Sequence, residues 1–107
     1  MLDWQPATLD EVQLILRDHS RHLQRRHQQL IEKMLIRPVQ IPVLRYPGEA
    51  VWAVAKHEDK FLYWSDIEDG WELEALQPNG GIQDRGCNQF ELHHIMYQLF
   101  GDPDLLP

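Results

Sequence analysis

Several side chains in this sequence are of types that do chemistry, and their spacing decides what they can do. His19 and His22 stand three apart, so a helix would bring them to one face. His93 and His94 are adjacent and diverge. A structural zinc site needs three or four ligands in tetrahedral array, and no His-Glu-x-x-His pattern supplies them. No metal is therefore expected. His19 and His27 read as members of a helix's semi-buried stripe, and His22 as solvated. Cys87, the single cysteine, precedes a helix start, where the dipole favours a thiolate. His93 and His94 lie too far along that helix to serve as its base, and no oxyanion site is in view. Asp66, Glu68 and Asp69 are close in sequence but lack calcium-loop spacing. General acid–base work would need a carboxylate partner and a pocket that the sequence does not display. Asn79-Gly80-Gly81 lacks the lysine of a phosphate loop and reads as a turn. No catalytic residue and no cofactor is expected.

What remains is an interleaving of carboxylates with aromatics. Tyr63, Asp66, Glu68, Asp69, Trp71, Glu72 and Glu74 fall within one short stretch. Tyrosine and tryptophan anchor protein interfaces, and clustered acids speed the association of a basic partner. These seven residues form the expected partner-binding surface. The competing reading places Trp64 and Trp71 in the core and leaves the acids as a solvated face.

Charge distribution favours the surface reading. The chain has 107 residues and a formal net charge of −7, which disfavours nucleic acid as a ligand. Residues 1–45 carry seven basic and five acidic groups, a net of +2. Residues 46–107 carry three basic and twelve acidic groups, a net of −9, and seven of those acids lie between Glu58 and Glu74. The length suits one domain, 1–107. No apolar run approaches the ~20 residues that span a bilayer, and the first residues lack a signal-peptide pattern. The expected compartment is the cytoplasm, with no membrane partner.

The elements that must position these residues follow from periodicity. Thr8 with Glu11 makes a capping box. Leu9, Val12, Leu16, His19, Leu23, His27, Leu30 and Met34 then form one helical stripe. Nothing breaks it before Arg37-Pro38. Such a helix would have about 28 residues and measure ~42 Å, against a domain diameter of ~26 Å. It must overhang, bend, or break in its polar middle, Asp18 to Gln29. Val39 to Tyr46 reads as an edge strand with Val39, Ile41 and Val43 on one face, because Pro42 lacks an N–H. Ala50 to His57 is a strand, and Glu58-Asp59 turns into Lys60 to Trp64, a doubly covered strand. Trp71 to Ala75 alternates apolar-in and carboxylate-out. Asn88 is a candidate N-cap, with Glu91 completing its box, for a last helix ending near Phe100. The expected fold is α+β: a long N-terminal helix, a four-stranded antiparallel meander and a C-terminal helix, with both helices on one face of the sheet.

Glu49 to Ala55 (Glu-Ala-Val-Trp-Ala-Val-Ala), Tyr63 to Trp71 (Tyr-Trp-Ser-Asp-Ile-Glu-Asp-Gly-Trp) and Asn88 to Leu92 (Asn-Gln-Phe-Glu-Leu) together resemble the immunity proteins of contact-dependent growth inhibition and related polymorphic toxin systems. The resemblance covers residues 49–100 in layout and phrase, and the Arg- and His-bearing first helix has no counterpart in it. It implies a non-enzymatic inhibitor that binds the toxin domain of a cognate effector, many of which are nucleases with basic clefts. An acidic, aromatic surface would plug such a cleft. Two other readings stand beside it. One is a homodimeric assembly module paired through the first helix, whose stripe is near heptad spacing. The other is a small enzyme using the carboxylates or Cys87.

Overall fold

A computed structural model describes residues 7–66, 69–86 and 88–106. Its order is α1 (Leu9–Arg21), α2 (Arg25–Met34), β1 (Leu35–Pro42), β2 (Ala50–His57), β3 (Lys60–Ser65), β4 (Gly70–Ala75) and α3 (Leu92–Phe100). A 3₁₀ turn follows at Pro103–Leu105. The class is α+β, and the four strands pair in sequence order as an antiparallel meander.

The expected long helix is two helices, of 13 and 10 residues. The capping box forms as read: Glu11 N–H donates to Thr8 Oγ1, and Thr8 N–H donates to the Glu11 carboxylate. The break falls in the polar middle. His22 and Leu23 N–H groups donate to His19 and Ser20 carbonyls, tightening the last turn of α1. Gln28 then reaches back and its side-chain amide donates to the Ser20 and Arg21 carbonyls. It thereby satisfies groups that a helix end leaves unpaired. Leu23, inside the break, is buried, so the joint is fixed by packing as well as by hydrogen bonds.

The stripe of the two helices is consumed internally. Val12, Leu16, Leu23, Ile31 and Met34 share one core cluster with Leu92, Ile95 and Met96 of α3 and with Val54, Leu62, Trp64 and Trp71 of the sheet. Among the described residues, the stripe read as near-heptad is thus largely packed into the core of one chain. His27 is fully buried and its Nε2 donates to the Gly101 carbonyl at 2.9 Å. His22 is exposed.

The opposite face of the sheet carries a second cluster of Ile41, Val43, Val51, Ala53, Tyr63 and Ile82, with Phe61 and Leu76 against it. Among the described residues, none from a helix belongs to it. This face is covered instead by the chain between β4 and α3. That segment joins both edges of the sheet: Leu44 N–H donates to Ile82 O on one side, and Trp71 N–H to Phe90 O on the other. Gly70 permits the second crossing, since a Cβ there would stand 2.5 Å from Gln89 Cα.

Strand β1 and the start of α3 are bounded differently from expectation. Strand β1 runs Leu35–Pro42 rather than from Val39 to Tyr46, and Val39 is exposed while Ile41 and Val43 are buried. The edge assignment of Pro42 holds, because β1 is the outer strand. The N-cap of α3 is Glu91, whose box partner is His94, and not Asn88.

Candidate functional site

The residues expected to form a partner surface are mostly interior. Tyr63 and Trp71 have no exposed area and Glu72 has 3%. The two faces of β4 separate as its alternation predicts: Trp71 and Leu73 pack on the helix side, Glu72 and Glu74 on the other. The carboxylate side is covered, however, and the carboxylates bind the segment that covers it. Glu72 accepts hydrogen bonds from the Asn88 backbone N–H at 3.0 Å and from its side-chain amide at 2.9 Å. Tyr63 donates its phenol to Glu74 at 2.5 Å and accepts from Gly86 N–H at 2.9 Å. Ser65 donates to Gly86 O.

Asp66 is likewise structural. One oxygen accepts the Ala7 N–H at 2.6 Å, and the other lies 3.7 Å from the Arg85 guanidinium. Arg85, whose side chain is 2% exposed, also donates to Glu49 at 2.7 Å. Its charge is thus held between two carboxylates, as a buried cation requires. Tyr63, Asp66, Trp71, Glu72 and Glu74 are therefore engaged in holding the sheet, its cover and the chain before α1 together. Asp69 alone of the described candidates is exposed. Glu68 and Cys87 lie outside the described residues.

Burial, and then the Glu74 carboxylate, push the Tyr63 phenol well above the ordinary tyrosine range. The neutral phenol is the folded form. Its contribution to stability is complete below the unfolded value of ~10 and is lost as pH rises beyond it. Ultraviolet titration should therefore show one of the three tyrosines ionising together with alkaline unfolding. If all three ionised while the far-ultraviolet spectrum stayed native, Tyr63 would not be buried as described.

Exposed acids converge elsewhere. A cleft of about 450 Å³ opens between α1, the β3–β4 turn and the start of α3. Asp18 of α1 and His22, its C-cap, line it with Asp69 from the turn, Glu91, the N-cap of α3, and His93 in its first turn, over a floor that includes buried Leu23 and Leu92. His93 Nδ1 lies 3.2 Å from a Glu91 oxygen. His19 also lines the cleft; its Nδ1 accepts the Trp71 indole N–H at 3.1 Å, and its ring stands edge-on to Trp64 and Trp71. That bond assigns the neutral tautomer with hydrogen on Nε2. A metal ligated through Nε2 would need the hydrogen on Nδ1, so His19 is spoken for.

Donor atoms of Glu91, His93 and His94 lie within 4.8 Å of one another. All three side chains are exposed, and Glu91 and His94 already hold the α3 capping box. Asp18, His22, Glu91 and His93 were not singled out together from sequence. The i, i+4 spacing of Asp18 and His22 was visible there, but nothing local indicates that α1 and the start of α3 meet. Comparison of the chain with family models, curated proteins and solved structures finds no match. Among the described residues, no helix is long and apolar enough to cross a membrane.

Proposed function

We propose that this is a non-enzymatic binding protein of the toxin-immunity kind, which neutralises a basic, nuclease-like partner domain by receiving a cationic side chain in the Asp18–Asp69–Glu91 cleft. The observation that carries the reading is convergence. Three carboxylates from three separate elements line one concavity, with no ion pair to a lysine or arginine among the described residues. Such a site attracts a guanidinium or ammonium from a distance and orients it on contact. The resemblance over residues 49–100 and the −9 charge of the second half support the same partner class. The expected surface moves from residues 63–74 to this cleft, with Asp69 common to both.

The test is co-expression with the C-terminal domain of the effector encoded beside this protein. Asp18→Lys combined with Asp69→Asn keeps the α3 cap intact, and asparagine suits the positive φ of 50° at position 69. The double variant should fold normally yet bind at least about tenfold more weakly, since hydrogen bonds to charged groups contribute ~1.5–3 kcal/mol. It should also fail to rescue growth. Full protection by this variant would remove the cleft from the interface. A neighbouring frame of housekeeping metabolism would remove the toxin reading itself.

A further inference from the structure

The break between α1 and α2 does more than shorten a helix. It opens a wedge whose apex is spanned by Gln28, bonded to the Ser20 and Arg21 carbonyls. The wedge is a cavity of about 530 Å³, within the range of ~300–1,000 Å³ typical of small-molecule sites. Its floor is core: Leu16, Ile31 and Val54 are all buried. Leu35 stands at its mouth with half of its surface exposed. Its side chain extends the apolar lining from the buried floor out to the mouth.

Charge at the rim narrows the occupant. Arg17 and Arg21 line the cavity one turn apart on α1, so their heads can meet one anion. Neither belongs to an ion pair among the described residues. Glu32, on the α2 wall, would repel a second negative group placed across from the first. A strand from a partner protein is a poor fit to the adjacent edge. Val43 N–H points to β2 through Glu49, while the Pro42 carbonyl points outward to Ile82. Pro42 therefore withholds a donor from the outward row, and the β1 bulge between Leu35 and Val39 disturbs the rest.

We infer that this wedge is a binding site for a small amphiphilic monoanion, an aliphatic chain ending in a carboxylate. The chain lies on Leu16, Ile31 and Val54, and the carboxylate takes paired hydrogen bonds from Arg17 and Arg21. The site is independent of the acidic cleft, which lies on the other side of α1.

Calorimetric titration with decanoate below its micellar concentration tests the assignment, with decyltrimethylammonium as the probe of equal chain and opposite head. One decanoate per chain should bind, the cation should not, and Arg17→Glu with Arg21→Glu should weaken decanoate at least about tenfold. Both arginines are exposed, so the near-ultraviolet spectrum of the tryptophan core should be unchanged in that variant. Absence of decanoate binding, equal binding of both heads, or undiminished binding to the double variant overturns the proposal. So does sedimentation showing a ligand-free dimer that the same variant dissociates, because a second copy would then fill the wedge.

Discussion

Trp71→Ala is expected to cost ~3–5 kcal/mol of folding free energy, the range for deleting a large buried aromatic. A domain of this size has ~5–15 kcal/mol in total, so the thermal midpoint should fall by more than ~10 °C. The size of the effect comes from position. Trp71 has no exposed area, lies in β4 opposite Trp64, and meets that ring edge-on at 5.2 Å between centroids. Its indole also hydrogen-bonds His19 of α1 and so links the sheet to the first helix. Trp71→Phe keeps most of the volume and loses that bond, so a cost of ~1–2 kcal/mol is expected. His19→Ala should match the phenylalanine variant more nearly than the alanine one. Urea unfolding of the three variants gives the ranking. A Trp71→Ala protein within ~1 kcal/mol of wild type would return this residue to the surface, as the partner-surface reading has it.

The sequence displayed parity well and covering poorly. The β2–β3 turn at Glu58-Asp59, the edge position of Pro42 and the Thr8–Glu11 box all follow from rules that act over four residues or fewer. Alternation along Trp71 to Ala75 likewise separated two faces correctly. It could not tell that the second face is dry, because the segment that covers it has no periodic signature. Residues 76–90 carry Pro78, three glycines and scattered polar groups. Such a stretch reads as an exposed loop, yet it delivers Ile82 and Arg85 to the interior. Asn88 illustrates the same limit. Its side chain fits a helix cap, but in the fold it serves Glu72, and the helix starts at Glu91 instead. The end of α2 was hidden for another reason. Met34 to Ile36 is an unbroken apolar run that a helix could continue through, yet Leu35 turns extended, at φ −60° and ψ 137°, where it pairs with Ala55. Only the tertiary partner distinguishes the two conformations there. A conflict between helix length and domain diameter was legible, but it left overhang, bend and break equally open, and the two short helices answer it with a break in the polar middle. The acidic cleft was not legible, since its members come from elements far apart in the chain.

Glu72→Lys carries the second large effect and separates a structural carboxylate from a binding one. On the reading of residues 63–74 as a plug, reversing this charge would abolish partner binding and spare the fold. The environment of Glu72 predicts the opposite. Its two oxygens face two donors of Asn88, and the backbone at Gly86 runs so close that a Cβ there would overlap the Glu72 carboxylate. A lysine would point a cation and its hydrogens at those donors in a space already filled. A loss of ~3–5 kcal/mol is expected, as for a buried charge deprived of its partner. Glu72→Gln keeps the shape and one acceptor, and should lose ~1–2 kcal/mol. The two variants also differ in where they act. Glu72→Gln should speed hydrogen exchange at Asn88 and Gly86 while the strand amides of β2 and β3 stay protected, because the covering segment loosens before the sheet does. Glu72→Lys should accelerate exchange throughout, because Tyr63 and Ser65 hold the same segment through Gly86 and lose their grip with it. A Glu72→Lys protein with native stability and altered partner binding would place this carboxylate outside the fold. The cover over the second face would then be a surface after all.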